Sequence, residues 1–342
     1  FSIELSGAYA PIKNFLKIVL GLSFLIWFFL VIIFILTDPY NIIFNKNSKV
    51  YFSDNINTSI LAKKLEIEKY SIIFGTSRSH QIQYDNSETK ILNFSGSLYG
   101  NSLNVLNFLD QLNEKQTSNI VNIYYLVDDH ILNGYDKNDP YSKYKKQDYL
   151  ENAYLSKIKF FLFLDINKVK NIFKGIKYNI LKDSGYYINN TGSLIRNNKN
   201  EFVEKPKEFK KMATSQLYTN DGIDALIKIN KFCEKNNITI RYFTPTHMMQ
   251  YAKLFDTNIM QKVWTKLFDG GIKEFYALWY VSEVSDYIKD DKYVAFKDLA
   301  HLNEYYNHKL FIDNVVNRDT KYLIKDKFEL NKYIENNKNY FK

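Results

Sequence analysis

A serine early in the chain and a histidine near its end have the residue types of a nucleophile and its base. Residues 72–74 are apolar and are followed by Gly75, Thr76 and Ser77, a pattern that predicts a buried strand with Ser77 in the turn at its carboxyl end. A serine hydroxyl becomes a nucleophile when a histidine takes its proton and a carboxylate orients that histidine. Asp298 and His301 are the candidate pair, because residues three apart on one helical turn or tight loop project in the same direction. The alternatives, a plain strand-ending turn and a surface Asp/His pair or helix cap, remain open at this point.

These residues require elements that bring them to one edge of a sheet, because open α/β sheets bind ligands at the carboxyl ends of their strands. Apolar strand patterns alternate with helical periods along the chain. Strands are predicted at 72–74, 91–94, 120–127 and 238–243, and helices from about residue 103 and at 220–236, 258–268 and 305–316. Residues 154–177 are predicted as an amphipathic helix that packs on the domain or lies on a membrane surface. The order of elements predicts an α/β fold with a central parallel sheet and covering helices.

Polar residues after the predicted strands are candidates for binding. A tetrahedral intermediate needs hydrogen-bond donors aimed at its oxyanion. The candidate donors are the backbone N–H groups of Ser77 and Gly96 and the side chain of Asn101. The candidate substrate-binding residues at the same edge are Arg78, Asp128 and His247.

A metal site is the rival interpretation of this edge. Asp128, Asp129 and His130 are consecutive, and His247 or His301 would complete a set of oxygen and nitrogen ligands. Adjacent residues on a strand point to opposite faces, so the two aspartates share one ion only if the chain turns between them. Neither a metal nor another cofactor is therefore expected.

Composition limits the other functional classes. The chain has 342 residues, 46% of them hydrophobic and 17% aromatic, which is enough for a large core. The net charge is +9, but only four of the 46 basic residues are arginine. Sequence-specific readout of nucleic acid favours the planar arginine fork, so no nucleic-acid partner is predicted. The single cysteine, Cys233, excludes an intrachain disulfide and a thiolate metal cluster.

Residues 18–36 are the strongest compositional signal, since they are apolar and carry no charge. At about 1.5 Å per residue they nearly cross a hydrocarbon core of about 30 Å, which predicts an uncleaved transmembrane helix. Lys13 and Lys17 precede this stretch and Asp38 follows it. The positive-inside rule then places the N-terminus in the cytoplasm and the rest of the chain outside it. The predicted organisation is a cytoplasmic segment 1–17, the span 18–36, a connector 37–69, an α/β domain 70–318 with an irregular insertion at about 183–211, and a charged tail 319–342.

Four segments together resemble the sequence blocks of the SGNH (GDSL-like) hydrolase superfamily. They are the Gly-x-Ser strand end at 74–79, the glycine loop at 93–101, the polar strand end at 123–129 and Asp298-x-x-His301, in the order of that family. The run from Gly75 to Ser79, GTSRS, behind one membrane span is similar to the membrane-anchored members that work beside MBOAT acyltransferases, the DltD and alginate O-acetylation proteins.

The resemblance implies a three-layer α/β/α domain and an acyl-enzyme at Ser77. It further implies an MBOAT-type partner, a cell-envelope glycan or glycolipid as acceptor, and a bacterial cytoplasmic membrane with the catalytic domain on its periplasmic or cell-surface side. The sequence departs from the family at two places: Thr76 stands where an aspartate is usual, and residues 126–129 are LVDD instead of Gly-x-Asn-Asp. The oxyanion hole is then one donor short unless Asn101 substitutes, which favours acyl transfer by a partner-loaded serine over free hydrolysis.

Two hypotheses of different classes follow. The first is a membrane-anchored serine acyltransferase or esterase. The second is a non-catalytic envelope subunit that binds a polymer or acts as a scaffold for a membrane partner. The first requires Ser77 Oγ and the His301 ring to lie within hydrogen-bond reach, which a structure can measure.

Overall fold

The computed structural model describes residues 6–37, 58, 61–82, 85–86, 89–95, 101–128, 173, 186–188, 194–196, 203–204, 219–252, 256–289, 292–296 and 301–341. The chain divides into two compact units, Phe1–Phe52 with Tyr154–Ser184 and Ser53–Ala153 with Gly185–Lys342. The predicted helix at 154–177 lies outside the described residues, apart from a helical residue at 173.

The first unit contains helix α1, Ser6–Thr37. Within it Ile12–Ile33 has a mean hydropathy of 2.7 and is not buried inside the protein. Twenty-two residues rise about 33 Å, enough to cross a bilayer core. The helix begins before the predicted residue 18, because a helix tolerates the polar and basic residues that precede the apolar stretch. This segment is a candidate membrane span or signal sequence.

The second unit is a mixed α/β domain built on a mostly parallel sheet. Its first strands are β1 (Tyr70–Phe74), β2 (Asp85–Asn86), β3 (Thr89–Asn93) and β4 (Ile120–Leu126). Strands β5 (Tyr186–Ile188), β6 (Leu194–Arg196) and β7 (Val203–Glu204) follow, and then β8 (Thr239–Phe243), β9 (Phe275–Tyr276), β10 (Ile288–Lys289), β11 (Lys292–Tyr293) and β12 (Leu323–Ile324).

The strand order of the main sheet in the described part of the chain is β12-β9-β8-β4-β1-β3-β2. Strands β9, β8, β4, β1 and β3 run parallel, while β12 and β2 are antiparallel edge strands. In the register Ile73 pairs with both Asn93 of β3 and Tyr124 of β4. All five residues of β1 are buried, as expected for a central parallel strand that is covered on both faces. The parallel sheet predicted from the sequence is confirmed.

The described residues of the domain include the helices α2 (Ser102–Leu109), α3 (Glu114–Ser118), α4 (Asn220–Lys235), α5 (Met249–Ala252), α6 (Thr257–Asp269), α7 (Ser282–Ser285), α8 (Glu304–Leu310) and α9 (Lys327–Asn336), and residues 61–64 are helical as well. A π-helix, Phe311–Val316, continues α8, and a 3₁₀ turn covers Thr320–Tyr322. Helix α4 buries Leu226, Ile229 and Cys233 on one face, the spacing of an amphipathic helix on a core.

Helix α2 packs on the core through Val105, Phe108 and Leu109. Leu103 and Leu106 are half-buried, whereas Val105 and Phe108 are fully buried. The ring of Phe108 lies 4.9 Å from that of Phe94, so this aromatic contact helps to fix how the helix faces the core.

Three predictions of the domain organisation need correction. Residues 319–342 are not a tail, because β12 pairs with β9 and Phe341 is buried. The connector 37–69 ends inside the domain, since Leu61 and Leu65 belong to the core. The insertion 183–211 contains regular structure: β5 pairs with β6, and β7 pairs with β11.

Candidate active site

Ser77 lies in the turn directly after β1, at the carboxyl edge of the parallel sheet. Gly75 precedes it at a point where the backbone passes very close to its neighbours. A Cβ at Gly75 would lie 2.1 Å from Ser79 Oγ and 2.7 Å from Leu126 Cβ. Only glycine fits this approach, so the tight turn that presents Ser77 depends on it.

The exposed Ser77 hydroxyl contacts the ring of His301. Ser77 Oγ lies 2.8 Å from His301 Nε2, although the two residues are 224 positions apart in the sequence. This distance is within the range in which a histidine removes a proton from a serine hydroxyl. The structure therefore brings together the two residues that the sequence proposed as nucleophile and base.

A buried carboxylate anchors both neighbours of Ser77. Thr76 Oγ1 donates to Asp128 Oδ2 at 2.6 Å, and Arg78 Nη1 forms an ion pair with Asp128 Oδ1. The Arg78 side chain is 9% exposed and that of Asp128 1%. Because both oxygens of one carboxylate hold the residues on either side, the orientation of Ser77 is fixed from the interior.

The end of β3 supports the other side of the same turn. The Asn93 amide nitrogen donates to the carbonyl oxygens of Ser79 at 2.9 Å and Ile82 at 3.2 Å. Ser79 Oγ donates to Ser95 Oγ at 2.8 Å. Buried polar groups need such partners, and here they satisfy the backbone of the turn while holding it against the sheet.

His301 comes directly before a well-fixed helix start. Leu302 forms an antiparallel bridge with Phe296. Asn303 Oδ1 caps α8 by accepting from the Tyr306 N–H at 3.1 Å, and its amide nitrogen donates to the Val294 carbonyl at 2.9 Å. The cap and the bridge hold the backbone next to the imidazole.

Arg78, Asp128 and His247 were predicted to bind substrate, but the structure places their side chains in the interior. Arg78 and Asp128 face each other in the interior, and His247 is fully buried. Burial and the nearby Arg78 cation hold the pKa of the His247 imidazole well below its usual value of 6.5. These groups support the protein under the Ser77 turn and do not line its exposed side.

The remaining predicted site residues have mixed outcomes. Asn101 is buried, and its side-chain oxygen caps α2 by accepting from the Leu103 N–H at 2.9 Å. An oxyanion-binding role for the Asn101 amide stays a prediction. Gly96 and Asp298 lie outside the described residues, so the second oxyanion donor and the orienting carboxylate stay predictions.

The metal interpretation gains no support. Asp129 and His130 lie outside the described residues, and Asp128 is occupied by Thr76 and Arg78. Within the part of the chain that the structure describes, no group of three acidic, histidine or cysteine side chains could hold an ion.

A small cavity lies behind the Ser77 turn, among the ends of β4 and β8 and helix α8. Its walls include Arg78, Leu126, Thr246, Leu302 and Asn307. A volume of about 20 Å³ admits a single water, which is too little space for an acyl chain.

Sequence reasoning missed Asn93, Ser95 and Asn307, which hold the turn that carries Ser77. One signal was present for Asn93, an amide inside the apolar run 91–94, because a polar residue in a buried strand usually has an assigned partner. Comparisons of this chain with protein-family models, with curated proteins and with solved structures found no match.

Proposed function

We propose that this chain is a membrane-anchored serine O-acyltransferase or esterase with an SGNH-like three-layer domain. The single observation that carries the proposal is the contact of 2.8 Å between Ser77 Oγ and His301 Nε2 at an exposed sheet edge. The rival, a non-catalytic subunit, does not require these two groups to meet. The buried anchoring of Thr76 and Arg78 adds support, because catalytic side chains need a rigid backbone beneath them.

The chemistry is acyl transfer in two halves. As Ser77 Oγ bonds to the acyl carbonyl carbon, its proton passes to His301 Nε2. The tetrahedral intermediate then expels the donor's leaving group, which takes that proton, and the acyl group remains as an ester on Ser77. In the second half an acceptor hydroxyl or water gives its proton to Nε2 and attacks the ester, and Ser77 recovers a proton as it leaves.

The two remaining roles are also part of the proposal. Asp298 would orient the imidazole and stabilise its cation. The Ser77 N–H, the Gly96 N–H and the Asn101 amide would bind the oxyanion. The acceptor would be a glycan or glycolipid of the cell envelope, the donor side would involve an MBOAT-type membrane protein, and the domain would lie outside the cytoplasm with α1 as anchor.

Labelling with a fluorophosphonate tests the proposal, because this reagent forms a covalent bond only with an activated serine. The detergent-solubilised full chain is expected to label stoichiometrically, Ser77→Ala not at all, and His301→Ala at a rate lower by roughly 10²-fold or more, the size of a general-base contribution.

Matched controls are available within the same domain. Ser118→Ala removes another exposed serine and His308→Ala another histidine on the helix after His301, and both should label as wild type does. A folded wild-type protein that does not label, or equal labelling of Ser77→Ala, would reject the catalytic proposal in favour of the scaffold.

A further inference from the structure

A side chain of α8 contacts the turn that carries the nucleophile. Asn307 Nδ2 donates to the Arg78 carbonyl oxygen at 2.6 Å, across 229 positions of sequence. A carbonyl oxygen only accepts hydrogen bonds, so the amide nitrogen and not the amide oxygen of Asn307 must face it. The contact therefore requires a hydrogen-bond donor at this position.

This contact joins the two segments on which the proposed reaction depends. Arg78 directly follows Ser77. Asn307 belongs to the helix whose cap, Asn303, comes two residues after His301. The contacts that the turn makes with Asp128, Asn93 and Ser95 tie it to the sheet. The Asn307 amide instead ties it to the helix that follows the histidine.

We propose that Asn307 is a positioning residue that sets the distance between Ser77 Oγ and His301 Nε2. Proton transfer requires these atoms to lie about 2.6–3.2 Å apart, and a misplacement of about 1 Å can lower a rate by about 100-fold. Without the amide, the Ser77 turn and the start of α8 lose a link that keeps this distance short. The inference rests on the proposed function and extends it to a residue that touches neither substrate nor reacting atoms.

Labelling kinetics separate positioning from general stability. Asn307→Leu keeps a side chain of nearly the same shape but removes the hydrogen-bond donor. Asn307→Ala removes both the donor and most of the side chain. We expect the maximal labelling rate (kinact) of both to fall at least about tenfold, while the reagent concentration at half-maximal rate (KI) changes less than about twofold, because reagent binding does not involve Asn307.

The matched control is Asn314→Ala. Asn314 is buried in the π-helix that continues α8. Its amide donates at 2.9 Å to the carbonyl of Leu310 in α8, and so this hydrogen bond does not involve the Ser77 turn. This variant loses a comparable hydrogen bond and should keep the wild-type kinact, even if its melting temperature falls. A purely structural role for Asn307 predicts instead that both asparagine sites behave alike.

The outcomes distinguish this inference from the proposed function. If wild type labels at Ser77 and Asn307→Leu labels with the same kinact, the positioning role is wrong and the proposed function stands. If wild type does not label, a crystal structure of Asn307→Leu still decides: a Ser77 Oγ to His301 Nε2 distance beyond about 3.5 Å supports positioning, and an unchanged distance of 2.8 Å overturns it.

Discussion

The ion pair of Arg78 and Asp128 gives the sharpest prediction about what holds the Ser77 turn. Their side chains are 9% and 1% exposed, so Asp128→Asn leaves a guanidinium cation buried without its counter-charge. Breaking a buried pair in this way costs about 3–5 kcal/mol. For a domain of this size about 1 kcal/mol lowers the melting temperature by roughly 2–4 °C, so we expect a fall of roughly 6–20 °C.

A double-mutant cycle isolates the charge pairing from other effects of substitution. Arg78→Met alone leaves a buried carboxylate, and it should also be strongly destabilising. Arg78→Met combined with Asp128→Asn removes both charges but keeps an acceptor for Thr76. The double variant should therefore lose less free energy of unfolding than the two single variants lose together, by at least about 1 kcal/mol.

The assay is thermal unfolding of the full chain in detergent, followed by the fluorescence of Trp264 and Trp279, which are both buried in the domain. Losses that add without any coupling would show that Arg78 and Asp128 do not stabilise one another. The interior anchoring of the Ser77 turn would then have to be abandoned.

Three further predictions concern single residues. Gly75→Ala should lower the free energy of unfolding by about 1–3 kcal/mol, as overpacking does. It should also slow Ser77 labelling, because the new Cβ would meet Ser79 Oγ at 2.1 Å. Unfolding and labelling curves equal to those of wild type would contradict this. His247 has a pKa held well below 6.5 by burial and Arg78, so below about pH 6.5 the unfolded chain binds a proton that the folded protein does not. The free energy of unfolding should therefore fall as the pH drops, by up to about 1.4 kcal/mol per pH unit from this group, and His247→Gln should flatten that slope. Burial raises the pKa of the Cys233 thiol to about 12, so iodoacetamide should alkylate this thiol only after unfolding. Rapid alkylation of the native protein, measured by mass spectrometry, would show that Cys233 is not buried.

The sequence predicted those parts of the fold that leave a long local pattern. The apolar run 120–127 predicted β4, and the helical period at 220–236 predicted α4, because a buried strand and an amphipathic helix each restrict residue types over many positions. Two-residue strands leave no such pattern. Leu323 and Ile324 pair with β9 in the main sheet, but the charged residues around them in the sequence led to the prediction of a tail.

The site was predictable in its residue types but not in its geometry. Ser77 and His301 were proposed from their chemistry and order, whereas their separation depends on contacts between segments more than 200 positions apart. For the same reason no local pattern marks Asn307, whose partner is a backbone carbonyl at Arg78. Asp128 was assigned to substrate because it follows a strand, and a sequence does not show that a buried arginine will neutralise it.

The most direct test of the central claim is to trap the acyl-enzyme and locate it. The full chain would be incubated with an activated acetyl ester, quenched in acid, digested and mapped by mass spectrometry. We predict one acetyl group on the peptide that contains Ser77, absent from Ser77→Ala and formed much more slowly in His301→Ala. Acetylation elsewhere, no acetylation of the folded protein, or acetylation of Ser77 at an unchanged rate in His301→Ala would contradict a serine activated by this histidine.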